Sequence, residues 1–186
     1  MQVYLIRHPK PDTAADLCYG RQDVPVDATS VAHAAMAVRE RIPEPVLNKA
    51  RIFSSPSSRC VLLARALAAP REPRIAEDLV EMSFGSWEGQ PWDAAPRDEL
   101  DAWACDVWRY KPGGAESAAM VAARWQRWTT AVRLSGDDAA IAVTHAGVIR
   151  VALALADLPN AAALLQVPVV FGSVHCVDLV QAPVIA

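Results

Sequence analysis

The chain has 186 residues and a formal net charge of −3, and 53% of its residues are hydrophobic. This length predicts a single domain over residues 1–186 with a large core, because chains of this size bury roughly 70% of the surface that they expose when unfolded. The negative charge argues against general nucleic-acid binding, which needs a basic face. The sequence holds no run of about 18 apolar residues, so a membrane-spanning helix is not expected.

The cysteines indicate a reducing environment. Cys18, Cys60, Cys105 and Cys176 lie far apart and form no CxxC pair, so the sequence predicts neither a zinc site nor a redox motif. Buried free thiols are the default in a reducing cytoplasm. The N-terminus reaches Arg7 too soon for the apolar stretch of a signal peptide. We therefore expect a cytoplasmic protein.

The first candidate functional stretch lies where an apolar strand meets a basic loop. Residues 3–6 form an apolar run typical of a buried strand, and Arg7 and His8 follow where that strand ends. In open α/β sheets, ligands bind at the carboxyl ends of strands. A guanidinium can hold two oxygens of a phosphate-like anion while an imidazole attacks or transfers a proton. An ordinary surface pair is the alternative, and these few residues alone favour it.

A second strand, loop and helix follow the same plan. A long loop rich in turn-forming residues covers residues 9–25, and a helix is predicted over 28–41, since N-cap candidates precede it and a proline follows it. Residues 51–55 predict a strand, and Pro56 opens a helix whose first turn contains Arg59. Free N–H groups at a helix start attract anions, so this arginine strengthens the prediction of an anion site.

An acidic loop follows a short predicted strand at residues 75–76. Residues 77–89 contain glycines at positions 85 and 89 and four carboxylates, most of which we expect to be solvated. Glu81 is the exception, because its apolar neighbours predict partial burial. Such burial raises the pKa of a carboxyl group towards the value that a general acid needs.

All six tryptophans lie between positions 87 and 128. The stretch from Asp93 to Trp108 is predicted to be helical and to end at residues 111–114, and a long helix follows from Glu116 and Ser117 to about position 136. The tryptophans form either a small aromatic core under a cap or a platform on which a flat substrate stacks. We favour core positions for most of them, with one or two facing the site.

The last third of the chain repeats the pattern of strand, histidine and helix. Residues 139–144 form a continuous apolar run typical of a parallel sheet, and His145 follows it. A helix is predicted over 148–158. Two closing strands are predicted over 167–171 and 174–180, the second with the alternation of an edge strand.

Five short motifs follow one another along nearly the whole chain. They are Arg7-His8, Ser55-Pro56 through Arg59, Glu81 with Phe84-Gly85-x-Trp87-Glu88-Gly89, Gly114-Ala115-Glu116-Ser117 and Thr144-His145-Ala146-Gly147. Their order and spacing resemble the histidine phosphatase superfamily. Within it, residues 17–25, the Trp-rich cap and the short length look most like the α-ribazole phosphatases of cobalamin synthesis. The resemblance implies a phosphoglycerate mutase-like α/β fold: a three-layer α/β/α sandwich, with a mostly parallel sheet, an antiparallel edge strand and a small helical cap at about 87–116.

The resemblance implies roles for five residues. His8 is the expected nucleophile, which attacks phosphorus and forms a phosphohistidine. Arg7, Arg59 and His145, the last as an imidazolium, are expected to clamp the phosphoryl oxygens. Glu81 is expected to protonate the leaving alkoxide and then to activate water. Because these cations supply the electrostatic stabilisation that a metal gives elsewhere, no metal or other cofactor is expected.

The resemblance also implies how the substrate is held. Tyr19, Gly20 and Arg21 are expected to bind it together with Ser57 and the clamp, and Glu116 has a supporting part. The expected partner is a small phosphorylated metabolite such as α-ribazole 5′-phosphate, with no nucleic acid and no membrane, and a homodimer is left open. A broad-specificity phosphatase, or one for another sugar or nucleotide phosphate, is the alternative.

Two prolines depart from the family's pattern. Pro9 replaces the usual glycine after the nucleophile and Pro11 the usual threonine, and the asparagine that commonly follows is lost as well. Two neutral phosphate contacts are then missing, unless Lys10 or Ser57 replaces them. A non-catalytic module that binds phospholigands is therefore a further alternative, although the intact Glu81 argues against it. A phosphoglycerate mutase is a weaker one, because the mutases that the chain resembles are longer.

Overall fold

The structure is a computed structural model that describes residues 1–157 and 167–179. Its strands are β1 (Gln2–Arg7), β2 (Leu17–Cys18), β3 (Arg51–Ser54), β4 (Arg74–Ile75), β5 (Gln90–Pro91), β6 (Ala139–Thr144) and β7 (Val174–Asp178). Among the described residues, five strands form a central sheet in the order β4-β3-β6-β1-β7, and β2 pairs with β5 in a separate ribbon. Neighbouring strands of the central sheet are parallel, except that β7 runs antiparallel to β1 at one edge. The predicted sheet is confirmed.

Helices cover both faces of this sheet. They are α1 (Ala28–Arg41), α2 (Glu44–Lys49), α3 (Ser58–Ala68), α4 (Arg97–Cys105), α5 (Ala118–Arg133) and α6 (Ala146–Ala156). One apolar cluster joins the sheet to α1, α2 and α3, and the other joins it to α5 and α6. The fold is therefore the expected three-layer α/β/α sandwich. No helix within residues 1–157 and 167–179 is long and apolar enough to cross a membrane.

Side chains alternate between the two faces along each central strand. Val3 and Leu5 of β1 pack towards α5 and α6, whereas Ile6 packs towards α1 and α3. Ile141 and Val143 of β6 lie in the same cluster as Ile6. Because successive side chains of a strand point to opposite faces, a continuous apolar run is what a sheet covered on both faces requires.

Two helix starts follow from side-chain capping. The Asp27 carboxylate accepts a hydrogen bond from the Ser30 N–H (2.8 Å), and α1 begins at the next residue. The Ser117 hydroxyl accepts from the Met120 N–H (3.4 Å) and caps α5 in the same way. These caps place both helices where the sequence predicts them.

The predicted strand over residues 167–171 is wrong. The described residues of this stretch form no strand, and a turn follows at positions 171–172. Pro168 has no N–H to donate to a strand partner, and β7 already occupies the sheet edge beside β1. The segment crosses the end of β1 instead, where the Gly172 N–H donates to the Arg7 carbonyl (3.2 Å).

The predicted helix from Asp93 to Trp108 is broken and shorter. A turn of 3₁₀ helix covers Trp92–Ala94, and α4 then begins after Pro96, because a proline biases the residue before it away from the α conformation. The last predicted helix begins at Ala146, two residues earlier than expected. The predicted ends of that helix and of the final strand, positions 158 and 180, lie outside the described residues.

Candidate active site

Three parallel strands end at the same edge of the sheet and bring the predicted residues together. His8 follows β1, His145 follows β6, and Arg59 lies in the first turn of α3, just after β3. The ring centres of His8 and His145 are 5.1 Å apart. Both rings and the Arg59 guanidinium are at most 1% exposed. Residues from distant parts of the sequence therefore form one buried cluster at the carboxyl edge, where open α/β sheets bind ligands.

The hydrogen bond to Pro9 sets the tautomer of His8. Nδ1 of His8 lies 2.7 Å from the Pro9 carbonyl oxygen. A carbonyl only accepts, so Nδ1 carries the proton and Nε2 keeps its lone pair. Burial, aided by the positive charge of Arg59, lowers the pKa of His8 to about 3. The ring is therefore neutral with a free Nε2. Pro9 keeps this contact because it uses the proline carbonyl and not the missing N–H.

His145 has the opposite tautomer. The Arg59 guanidinium, which only donates, lies 3.4 Å from Nδ1, so the ring proton is on Nε2 and is donated to the Ser55 hydroxyl (2.7 Å). Burial lowers the pKa of His145 well below its ordinary value, and the neighbouring His8 and Arg59 lower it further. Burial beside Arg59 therefore favours the neutral ring over the expected imidazolium. Ser55 belongs to one of the motifs named from the sequence, but its role as the partner of His145 was not predicted.

Arg59 holds the loop of residues 19–22 against the site. Its Nη1 donates to the Gln22 carbonyl and its Nη2 to the Gly20 carbonyl, both at 2.8 Å. Its Cζ lies 5.0 Å from the centre of the Tyr19 ring. Its Nε–H is buried, with no hydrogen-bond partner among the described residues. Arg59 therefore holds the loop through two of its donors, while its Nε–H stays unpartnered among the described residues.

Arg7 has a similar environment on the other side of His8. Its Nη1 donates to the Val169 carbonyl (2.6 Å), and its Cζ lies 3.7 Å from the centre of the Phe171 ring. The Phe171 ring also lies 5.6 Å from the His8 ring. The Arg7 Nε–H is buried, and the described part of the chain offers it no partner. Sequence reasoning missed Phe171 because it placed this residue in a strand.

Glu81 is buried beside the same cluster. Its Oε1 accepts from the Met82 N–H (2.8 Å) and its Oε2 from the Gly147 N–H (3.4 Å). Burial raises the pKa of Glu81, although both N–H groups oppose this shift. A Cβ at Gly147 would lie 2.5 Å from Oε1, so the carboxyl group reaches this position only because residue 147 is glycine. A proton held by Glu81 is therefore available within the site.

A sequence model of the histidine phosphatase superfamily (branch 1) matches residues 3–180. The chain belongs to this superfamily. It is a phosphatase, and its superfamily contains solved structures of the same fold. A search of curated proteins gave no match.

Three solved phosphatases share the fold and differ in the substrate that each is named for. A mutant phosphoserine phosphatase from Entamoeba histolytica, in complex with phosphoserine, is 16% identical with a TM-score of 0.80, and 94% of this chain and 89% of that chain are covered. The α-ribazole phosphatase from Shigella flexneri is 24% identical with a TM-score of 0.77, over 98% and 92% of the chains. A mycobacterial glucosyl-3-phosphoglycerate phosphatase is 26% identical with a TM-score of 0.73, over 91% and 85%.

The phosphatase uses Glu116 to join its loops. The buried Glu116 carboxylate contacts the Arg124 Nε (3.0 Å) on one oxygen and the Arg21 Nη2 (3.0 Å) on the other. Arg21 also donates from Nε to the Glu81 carbonyl (3.0 Å). Arg21, expected to bind substrate, therefore links Glu116 to the backbone that carries Glu81. Sequence reasoning gave no role to Arg124, because nothing in the helix pattern marks it.

The remaining predicted substrate contacts lie in three different places. Tyr19 and Gly20 line the cavity beside Arg7. Ser57 is buried at the start of α3, with its Oγ 3.4 Å from that of Ser55. Lys10 is exposed and lines a separate cavity, so its side chain does not join the histidine cluster.

A cavity of about 440 Å³ opens in front of the cluster. Its apolar wall includes Leu17, Met82, Phe84, Trp92, Trp103 and Phe171, and its charged groups are Arg7, Glu81 and Arg150. The Phe171 ring of this wall lies beside the His8 ring. Two tryptophans thus face the cavity, as expected, while Trp125 and Trp128 pack in the core under α5. An apolar cavity with a few polar groups at one place is the usual form of a small-molecule site.

Proposed function

We propose that this phosphatase hydrolyses small phosphomonoesters without a metal ion, through a phosphohistidine on His8. The observation that carries the proposal is the hydrogen bond between His8 Nδ1 and the Pro9 carbonyl, which leaves a lone pair on Nε2. Nε2 attacks phosphorus, the P–N bond forms, and the ester P–O bond breaks. Water then attacks the phosphohistidine, the P–N bond breaks, and inorganic phosphate leaves.

The two arginines support the transfer step. Arg7 and Arg59 each keep one buried Nε–H without a partner among the described residues. Buried donors of this kind stabilise charge on the equatorial oxygens of a moving phosphoryl group. Two guanidinium groups can supply the positive charge that a metal ion supplies in other phosphatases. Metal independence follows as part of the proposal.

Glu81 supports both proton transfers. As a protonated carboxyl group it gives its proton to the leaving alkoxide, and as a carboxylate it later takes a proton from the attacking water. Its burial and raised pKa favour the protonated form that the first step needs. A module that only binds phosphate gains nothing from such a group beside an anion, so Glu81 favours catalysis over binding alone.

The proposed substrate is a small phosphorylated metabolite with a planar leaving group, and α-ribazole 5′-phosphate is the first candidate. Phe84, Trp92 and Trp103 line the cavity, and aromatic rings favour stacked or edge contacts with other rings. We assign this selectivity to a cap of about residues 87–116 within one phosphatase domain. A sugar phosphate, or a broad range of esters, is the alternative.

The test is steady-state hydrolysis of a panel of esters in EDTA by the wild type and by His8→Ala. The panel contains α-ribazole 5′-phosphate, 3-phosphoglycerate and p-nitrophenyl phosphate. We expect turnover in EDTA, an acid-labile radiolabelled phosphoprotein in rapid-quench samples, and a loss of about 10⁴–10⁶-fold in kcat with His8→Ala. Equal activity of the two proteins would refute the mechanism, and equal inertness would favour a binding module. Similar rates for all esters would favour broad specificity.

A further inference from the structure

An ion-pair network holds the backbone of the segment that carries Glu81. Residues 80–83 belong to no helix or strand, so the regular hydrogen bonds of a helix or sheet do not fix them. Three backbone groups of residues 78–83 pair instead with side chains from distant parts of the chain. The pairs are Arg124 Nη1 with the Asp78 carbonyl (2.7 Å), Arg21 Nε with the Glu81 carbonyl (3.0 Å), and the Ser83 N–H with the Glu116 carboxylate (3.1 Å). The position of Glu81 therefore depends on these contacts.

The three side chains also bind one another. One oxygen of the Glu116 carboxylate accepts from Arg124 Nε and the other from Arg21 Nη2, both at 3.0 Å. Glu116 and Arg124 are only 6% and 5% exposed. A buried charge is costly unless it is paired and hydrogen-bonded, and both of these charges are paired in this way. We call Arg21, Glu116 and Arg124 the Glu116 clamp, because Glu116 joins the other two.

Arg21 belongs to the clamp and not to the wall of the cavity. Its neighbours Tyr19 and Gly20 line the cavity of about 440 Å³, whereas Arg21 does not. Its Nε donates to the Glu81 carbonyl and its Nη2 to Glu116. A planar guanidinium can make two such contacts at once, because its donors form a rigid fork. Arg21 is therefore directed at the segment that carries the acid and not at the leaving-group site.

We propose that the Glu116 clamp positions Glu81 for proton transfer to the leaving group. Its three members are positioning residues, which affect the rate through Glu81 without touching the substrate. The inference rests on the proposed function, which makes Glu81 the acid. Glu81 is 8% exposed and its carboxyl group accepts from two N–H groups, so it has little room to adjust if its backbone shifts. A displacement of about 1 Å at a catalytic group costs up to about 10²-fold in rate.

Two other roles for the clamp compete with this one. If it only stabilises the fold, its loss lowers the free energy of unfolding and leaves the activity of the folded protein unchanged. If Arg21 binds the substrate, as the sequence predicts, its loss lowers kcat/KM for similar esters to the same extent. A positioning role differs from both, because the rate then falls in proportion to how much the leaving oxygen needs a proton.

The experiment compares the hydrolysis of phenyl phosphate and p-nitrophenyl phosphate by the wild type and by Arg21→Gln. The two esters share a ring, but phenolate is the poorer leaving group and gains more from a proton. In Arg21→Gln, kcat/KM should fall about 10–100-fold for phenyl phosphate and no more than about threefold for p-nitrophenyl phosphate. Arg124→Gln should show the same pattern. If that variant does not fold, Arg21→Gln still decides, because the Arg21 side chain is 42% exposed.

The matched control is Arg127→Gln. Arg127 lies on the same helix as Arg124 and also contacts Asp78, but it is exposed and pairs with the side-chain carboxylate (2.7 Å). Its loss should leave kcat/KM unchanged for both esters.

Equal losses for the two esters in Arg21→Gln, or no loss for either, would overturn the inference. Glu81→Gln is measured alongside and should show the same preference more strongly. If Glu81→Gln separates the esters and Arg21→Gln does not, this inference alone fails. If Glu81→Gln does not separate them, or if His8→Ala is as active as the wild type, the proposed function fails.

Discussion

The catalytic edge and the cap differ in how their polar groups are held. At the catalytic edge, each functional side chain has a protein partner: His8 has the Pro9 carbonyl, His145 has Ser55, and Glu81 has the Gly147 N–H. In the cap, short 3₁₀ turns and α4 carry aromatic rings, and the Trp103 indole has no acceptor among the described residues. The reacting groups of the edge are therefore oriented by hydrogen bonds within the protein, whereas the cap is held mainly by contacts between aromatic rings.

The two regions differ because the catalytic residues follow strands of the central sheet, whereas the cap consists of short helices and turns. The catalytic residues follow β1, β3 and β6, whose pairing and two-sided burial fix the positions of the strand ends. A rigid framework of this kind suits groups that must be placed within fractions of an ångström. The cap lies outside the central sheet and is joined to the domain through the short β2–β5 ribbon and a few backbone hydrogen bonds, such as the one from the Trp92 N–H to the Asp16 carbonyl (2.9 Å). In the proposed function, the sheet positions the groups that act on phosphorus, and the cap supplies the contacts to the leaving group.

After His8→Ala, the largest effect is expected from Glu81→Gln, which tests the proton transfer at the catalytic edge. The amide cannot give a proton to the leaving oxygen, so kcat should fall by about 10²–10⁴-fold for alkyl esters. p-Nitrophenyl phosphate should suffer less, because its leaving group needs no proton. Steady-state kinetics with both esters measures this. Glu88→Gln is the control, because Glu88 lies in the same loop but accepts from the Phe84 N–H. Equal losses for both esters would contradict the assignment of Glu81 as the acid.

The pH dependence of kcat/KM should reflect the two shifted groups. His8 must be neutral to attack, and its pKa of about 3 means that its protonation lowers the rate only at strongly acidic pH. Glu81 must be protonated in the first step, and its raised pKa moves the loss of that proton to higher pH. Activity should therefore extend to acidic pH and fall as pH rises. The alkaline fall should disappear in Glu81→Gln, and its persistence there would contradict the assignment.

The sequence predicted the catalytic edge well because its signals are local. Apolar runs, prolines and caps indicate β1, β6, α1 and α5, and the functional groups directly follow strands. Arg7, His8, Arg59 and His145 could therefore be named from strand ends, and Glu81 from its apolar neighbours. Even the unusual Pro9 does not disturb the edge, because only its carbonyl is used.

The missed features depend on contacts between distant parts of the chain. Phe171 lies on Arg7 only because residues 167–171 cross the end of β1 instead of pairing as a strand. Arg21 turns to Glu116, some 95 positions away, and no local pattern predicts that contact. The charge state of His145 depends on burial beside Arg59 and His8, which is known only once the strands are assembled.

Two glycines offer a direct contrast between the regions. Gly147→Ala should lower kcat by about 10²-fold, because its Cβ would lie 2.5 Å from Glu81 Oε1 and displace a catalytic group. Gly113 has φ +58, and its Cβ would meet the Phe84 carbonyl oxygen, so Gly113→Ala should lower the free energy of unfolding by about 1–3 kcal/mol.

Thermal unfolding and the turnover of 3-phosphoglycerate, an alkyl ester whose leaving group needs the Glu81 proton, separate the two glycine effects. The Gly147 variant should unfold close to the wild type, since alanine suits a helix. The Gly113 variant should melt earlier yet keep its kcat for this small ester. Activity loss in the Gly113 variant, with none at Gly147, would break the division between edge and cap.

The smallest effect is expected from Ser55→Ala, which tests whether the single hydrogen bond between Ser55 and His145 contributes to activity. Removing the acceptor of the His145 Nε2–H leaves a buried donor unpaired, so kcat/KM should fall about tenfold. Ser54→Ala is the matched control. Its hydroxyl is equally buried and donates to the Ser55 carbonyl (2.7 Å), but it makes no contact with His145. Both variants should lose stability in chemical denaturation, and only Ser55→Ala should lose activity. Similar activity losses would mean that the edge depends on packing around β3 and not on the orientation of His145.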